Sequence, residues 1–280
     1  MIDQVIIDQR CSLRRCCGVL GFRRQTYYRR KSGDRPEQRD AALIEVLKEH
    51  AERFVSWGFW KLFRYLRNQG LIKDNHKRVL RLYRQAGLHL RRPPRRKRLY
   101  RKYRDLLSPD GVNEGWAMDF VSDWVVGPNE KQVRIINIMD EGSRRALWTE
   151  AHRSISAKKL ITILDRVAAY RGLPQYIRCD NGPEFIAEQL AAWAEEKGVE
   201  LRHIQPGKPS QNGLIERLNK TLRTECLNLN WFSTMELLNE EIQNWSYIYN
   251  YLRPHESLKD ITPDQYEINN RKFYYSLVTA

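Results

Sequence analysis

Gly115-Trp116-Ala117-Met118-Asp119-Phe120-Val121-Ser122-Asp123-Trp124 is the stretch on which the fold turns. As a strand, it places Asp119 on one face with Ala117 and Val121, a carboxylate in an apolar row. Burying that charge is costly unless it is paired or bound to a metal. Taken alone, the window favours a plainer reading, an edge strand whose Asp faces water. The rest of the chain has to decide.

Outward from this strand, 132–139 and 145–150 read as second and third strands, with Glu141-Gly142-Ser143 as the turn between them. A helix is expected over 157–171, a strand over 175–179, a helix around 187–197 and a strand over 199–204. Long helices over 210–228 and 234–251 close the pattern. Three meandering strands followed by strand–helix alternation is the element order of an α/β, ribonuclease H-like core.

Two further carboxylates fall at informative places. Asp180-Asn181-Gly182-Pro183 directly follows the apolar strand ending at Cys179, so Asp180 projects from a strand's carboxyl end, where α/β sheets place ligands. Asp-Asn-Gly is also ordinary turn chemistry, and alone it decides nothing. In the helix that follows Ser210, Leu214, Ile215, Leu218 and Leu222 form one stripe, while Glu216, Asn219, Lys220 and Arg223 gather on nearly the opposite side. Most such polar faces are merely solvated. This one sets a single carboxylate among cationic and amide groups.

Taken together, the three residues carry a specific resemblance. The text Met118-Asp119-Phe120, then Asp180-Asn181-Gly182-Pro183-Glu184-Phe185, then Ile204-Gln205-Pro206-Gly207-Lys208-Pro209-Ser210-Gln211-Asn212-Gly213 running into Glu216-Arg217-Leu218-Asn219, resembles the DDE transposase and integrase superfamily. Within it the chain is most similar to the reading-frame-B component of insertion-sequence-three-type bacterial elements. Tyr249-Asn250-Tyr251-Leu252-Arg253-Pro254-His255 and Thr262-Pro263 match that family's tail. The resemblance implies an integrase-type core in which Asp119, Asp180 and Glu216 are both catalytic residues and ligands of two Mg²⁺ ions, with Mn²⁺ able to substitute. It also implies a basic position, met here by Arg223, and a protein encoded by an upstream frame, acting as partner or as a frameshift fusion.

The N-terminal part points to nucleic acid independently. Residues 1–108 hold 29 Lys and Arg against 10 Asp and Glu, net +19, whereas residues 109–280 are net −4. Such a split suits a polyanion better than a membrane surface, which gives no reason for an acidic second half. Short helices are expected over 12–19 and 23–30, then 37–54 with Ala41, Ile44, Leu47 and Lys48 on one side, then 57–69. Asp74 is positioned to cap a basic helix bearing Val79, Leu82, Tyr83 and Ala86, which Gly87 ends, with Lys77, Arg78, Arg81 and Arg84 on its remaining surface. This is a helix-turn-helix outline, equally the pattern of a three-helix bundle with a solvated basic face. Between Arg91 and Arg104 nine of fourteen residues are Arg or Lys, with Tyr100 and Tyr103 among them, a linker suited to tracking a phosphate backbone.

The expected organisation is a short helix-turn-helix-like segment (1–36), a helix-turn-helix-like DNA-binding module (37–90), a basic linker (91–108), the ribonuclease H-like core (109–229) and a helical extension (230–280). Expected DNA contacts are Arg223, Lys220, Asn219, Asn212 and Lys208 near the third carboxylate, and Arg95, Arg96, Lys97 and Arg98 in the linker. The partners expected are double-stranded DNA, both element ends and target, and further copies of the chain. No apolar run or leader points to a membrane, so a bacterial cytoplasmic, nucleoid-associated protein is expected.

Five cysteines without a C-x-x-C pair suggest small buried hydrophobes, and no His-His-Cys-Cys zinc spacing occurs. Asp140 reads as a turn residue, and His203 and His255 as either DNA-placing or structural. Trp245, Tyr247, Tyr249 and Tyr251 read as core before base-stacking. Two other functions stay open at this point: a DNA-binding regulator with an inactive integrase-like domain, and a structure-selective nuclease of the same fold.

Overall fold

The structure is a computed structural model, and it describes residues 12–21, 23–31, 36–90, 111–126, 131–205 and 209–278. The linker expectations, Arg95, Arg96, Lys97, Arg98, Tyr100 and Tyr103 included, lie outside the described residues, as do Lys208 and Cys11. The chain forms two compact units, Met1–Arg92 and Pro93–Ala280.

The first unit is helical: α1 (Leu13–Val19), α2 (Arg24–Lys31), α3 (Pro36–Arg53), α4 (Phe59–Asn68) and α5 (His76–Gln85). Ser12 caps α1 by accepting from the Arg15 amide. On α3 the buried side chains are Leu43 and Leu47, whereas Ala41 and Lys48 are exposed, so the apolar face is turned from the one expected. Phe54 and Trp57 explain the shift: they stack at 4.0 Å just beyond the helix and Tyr65 of α4 meets both edge-on, drawing the packed face towards them. Asn75, not Asp74, caps α5, accepting from the Lys77 amide. Asp74 accepts from Arg78 instead. Arg78 and Arg81 both reach Asp40 on α3, which holds the Asp40 carboxyl below its ordinary range. Two of the four basic residues on α5 are thereby occupied within the unit.

The second unit is a five-stranded sheet of order β3-β2-β1-β4-β5. Its strands are β1 (Gly115–Val125), β2 (Lys131–Asp140), β3 (Ala146–His152), β4 (Tyr176–Cys179) and β5 (Glu200–His203). β1 to β3 form an antiparallel meander, while β4 runs parallel to β1 and β5 parallel to β4. β1 is therefore the middle strand, and the edge-strand reading of Asp119 gives way because the later parallel strands β4 and β5 add to its free side.

Helices cover both faces of the sheet. On one, Trp116, Met118, Ile136, Ile138 and Ile177 pack with Leu160, Ile163 and Leu164 of α6 (Ala157–Arg171) and Leu190 of α7 (Glu188–Lys197). On the other, Ala117, Val121, Ile135 and Met139 pack with Ile215, Leu218 and Leu222 of α8 (Gly213–Glu225) and with Leu238, Ile242 and Trp245 of α9 (Met235–Tyr247). The long helix expected over 210–228 is α8 flanked by 3₁₀ turns, Pro209–Asn212 and Leu227–Leu229. α9 ends in a π-helical turn, Ile248–Leu252, which leaves Trp245 and Tyr249 in the core and Tyr247 and Tyr251 exposed and stacked on each other.

α10 (Pro263–Val278) is anchored by Glu267, buried against Arg145, Arg171 and Ser143. Asp140 is the fully buried last residue of β2 and not part of the turn itself, which it holds by accepting from the Ser143 hydroxyl and the Gly142 and Ser143 amides, with the Asn113 amide as a further donor. No helix among the described residues is long and apolar enough to cross a membrane.

Candidate active site

Three elements bring the predicted carboxylates near enough for Asp180 and Glu216 to act electrostatically on Asp119. Asp119 comes from the middle of β1, on the face covered by α8, because strand alternation puts it in the row of Ala117 and Val121. Asp180 follows β4 directly, and since Ala117 pairs with Arg178, two further residues along each strand set Asp180 beside Asp119. Glu216 lies in the first turn of α8 and is exposed.

Asp119 is partly buried and doubly held: Oδ1 accepts from the Phe120 amide at 2.8 Å and Oδ2 from Asn219 Nδ2 at 2.7 Å. Burial pushes its carboxyl up to about 6, and the negative charges of Asp180 and Glu216 add to the rise, while those two hydrogen bonds oppose it. Asp180 folds into a local turn, its Oδ1 accepting from the Gly182 amide at 2.8 Å. Among the described residues no three His, Cys, Asp or Glu side chains converge as a finished metal cage. The three carboxylates stand near enough for their charges to act on Asp119, and mutual repulsion opposes closer approach. A donor set of oxygens with like charge fits a hard divalent cation, which would offset that repulsion.

The motif after Asp180 is tied down from outside. Glu184 pairs with Arg134 of β2, which keeps its carboxyl below the ordinary range, and the Arg134 guanidinium lies 4.2 Å over the Phe120 ring. Phe120 in turn stacks on the buried Phe185 at 4.8 Å. On the other side Arg178 donates to the Gln211 carbonyl at 2.8 Å, fixing the entry to α8.

The expected DNA contacts divide. Lys220 is exposed, and Arg223 is partly exposed while donating to the Ser122 carbonyl. Asn219 has both ends of its amide engaged inside the protein, by Asp119 and Asn137, so it belongs to the carboxylates and not to a phosphate. Asn212 is buried at 4% exposure where the 3₁₀ turn meets α8, which withdraws it from a contact with DNA. His203 is exposed with Nδ1 3.2 Å from the Asp180 carbonyl, whereas His255 is buried against the Tyr249 carbonyl, a structural position. The four described cysteines are buried, and burial pushes the Cys179 thiol up to about 12.

Sequence reasoning misses Asn137. It stands opposite Asp119 in the β1–β2 register, and the available signal was a lone amide inside the apolar run Ile135-Ile136-Asn137-Ile138-Met139.

Comparison with known proteins agrees with this architecture. Residues 37–98 match the HTH-like domain family, and residues 109–209 and 197–263 match two integrase core domain families. The chain is 36% identical to the uncharacterized 31.7 kDa protein of insertion element IS407 from Burkholderia multivorans, over 93% of this chain and 92% of that one. It is 34% identical to the 39.2 kDa protein of insertion element IS476 from Xanthomonas euvesicatoria, over 93% and 73%. Among solved structures, a chain of the simian T-cell lymphotropic virus intasome aligns at TM-score 0.48 and 19% identity, over 77% and 72%. An HTH-like module joined to an integrase core, with insertion-element relatives along nearly its whole length, places this chain in the insertion-sequence-three family of DNA transposases, as a reading-frame-B protein.

Proposed function

We propose that Asp119, Asp180 and Glu216 are the catalytic residues of this transposase, that they hold two Mg²⁺ ions, and that the site both cuts and joins DNA at insertion-element ends. The observation that carries the reading is electrostatic: the charges of Asp180, from the end of β4, and of Glu216, from α8, both act on Asp119 of β1. The ions would supply Lewis acidity, activating the attacking oxygen and stabilising the leaving one, and Mn²⁺ could replace them. Asp119, fixed by Phe120 and Asn219, presents its remaining lone pairs in set directions. Glu216, exposed on the first turn of α8, is free to swing towards them. For cleavage the attacking oxygen is water, and for joining it is a DNA 3′-hydroxyl. In each case a new P–O bond forms as the bond to the leaving oxygen breaks, so one site serves both steps.

Lys220 and Arg223 continue along α8 from Glu216 and are suited to phosphates of the DNA end. The basic segment through Arg95, Arg96, Lys97 and Arg98 supplies the non-specific attraction, and Lys208 adds to its charge. The protein works as a homo-oligomer on DNA and with the upstream-frame protein or fused to it.

The test is strand joining by a 3′-hydroxyl oligonucleotide bearing an element end, under Mg²⁺ or Mn²⁺. Asp119→Asn, Asp180→Asn and Glu216→Gln should each abolish cutting and joining while DNA affinity stays within a few-fold. Substantial activity in any one removes that residue from the site. Cutting without joining favours a nuclease, and binding without either favours a regulator.

A further inference from the structure

Within the buried stretch Ile135 to Met139 of β2 every side chain is apolar except Asn137, which is fully buried. Asn137 Nδ2 donates to Asn219 Oδ1 at 2.7 Å, and Asn219 Nδ2 donates to Asp119 Oδ2 at 2.7 Å. The sense of this relay is forced from one end. A carboxylate only accepts, so Asn219 must turn its NH₂ to Asp119; its carbonyl then faces Asn137, which must supply an NH₂ of its own. At the far end Asn137 Oδ1 is left buried with no hydrogen-bond partner among the described residues.

That orphaned oxygen argues against a packing role. A buried carbonyl without a partner is costly, and a leucine fills a similar volume among Ile135, Met139 and Leu218 without the cost. What leucine lacks is the donor. If Asn219 turned its carbonyl to Asp119, two acceptors would face each other and the carboxylate would lose one of the two bonds that orient it. Asn137 grips the Asn219 carbonyl from behind and opposes that turn.

We propose that Asn137 is a positioning residue of the transferase site, acting through Asn219 to fix the carboxylate plane of Asp119 and hence the lone pairs it offers to metal. The proposal rests on the reading of Asp119 as a metal ligand. Outer groups that orient a ligand in this way contribute about tenfold or more to metal affinity.

The experiment uses the full chain, Mn²⁺ alone as probe, calorimetric titration without DNA, and a thermal melt of each variant. Asn137→Leu should melt no lower than wild type yet require about tenfold more Mn²⁺ for half-saturation. Asn219→Leu should shift the titration at least as far, and the double variant should be no worse than Asn219→Leu alone, because residues in one relay are not additive. Asn137→Asp, which sets an acceptor against the Asn219 carbonyl, should be worse than Asn137→Leu. If Asn137→Leu does not fold, Asn137→Ala is read by the same titration. A folded Asn137 variant with the wild-type titration, or a double variant whose shift equals the two single shifts combined, overturns the relay, provided Asp119→Asn has lost Mn²⁺ binding. Wild-type Mn²⁺ binding by Asp119→Asn overturns the metal reading itself, and the relay with it.

Discussion

Arg223 Nη2 donates to the backbone carbonyl of Ser122 at 2.8 Å, while its Nη1 lies 3.9 Å from Asp123 Oδ2. α8 is therefore tied to β1 at two levels, by Asn219 to Asp119 and by Arg223 a turn further on. At about 1.5 Å per residue Arg223 is roughly 10 Å along the helix from Glu216, too far for a direct pair. An arginine so placed, with part of its guanidinium exposed, is suited to a phosphate of the DNA end. Arg223→Ala should weaken element-end binding, slow joining and lower the salt slope of log affinity by about one, with the metal requirement unchanged. A lower melting temperature at an unchanged slope would make it a structural tie only.

Asp119 should be destabilising to the metal-free fold. Its folded carboxyl is pushed up to about 6 from an ordinary 3.8, so between those values the folded state keeps a proton that the unfolded state has released. Stability is then lost as pH rises through this window, and the loss levels off above the folded value, where it is on the order of 3 kcal/mol. Asp119→Asn should melt a few degrees higher than wild type at pH 7 in chelator, and the advantage should vanish below pH 4 or on adding Mn²⁺ to the wild type. Equal melting at pH 7 would show that the ionised carboxylate is not strained.

Glu267 is buried between Arg145 and Arg171 and also accepts from Ser143. Removing it leaves two guanidinium groups, each largely buried, without their shared carboxylate. Glu267→Ala should cost about 3–5 kcal/mol, read by denaturant unfolding of the full chain. A cost below about 1 kcal/mol would mean that water replaces the pair, as at a surface.

In the first unit, Asp40 holds Arg78 and Arg81, and its carboxyl is lowered by those hydrogen bonds. A depressed carboxyl stabilises the fold above its unfolded value and loses that contribution as pH falls through the folded value. Asp40→Asn should therefore lower the melting temperature at neutral pH in low salt, with the difference fading in acid. It also releases two arginines of α5, so non-specific DNA affinity should rise and its salt slope steepen. An unchanged slope would place those arginines away from DNA.

Much of the fold is legible in the chain alone. The strands, the helices and their order follow from alternation and helical spacing, because those patterns report which backbone neighbours share a face. Ser12 as a cap and Gly87 as a stop are readable for the same reason: each acts within one turn of chain. Asp119, Asp180 and Glu216 can be named from their elements and motifs. Asp74 and Asn75 are each able to cap α5, and only the demand of Arg78 for a carboxylate separates them.

The sequence by itself determined the element types, the apolar row in which Asp119 sits, and the concentration of positive charge before residue 109. Tertiary structure decided that β1 is central, that Arg78 and Arg81 spend themselves on Asp40, and that Asn219 turns inward to Asp119 and not outward to DNA. Asn137 and Asn219 are 82 residues apart, and Asn219 and Asp119 are 100 apart. Local spacing carries no information about which amide will face which carboxylate across such separations. That choice is made only when the sheet and α8 close on each other, and each buried donor must then find an acceptor among the groups the fold has brought to it.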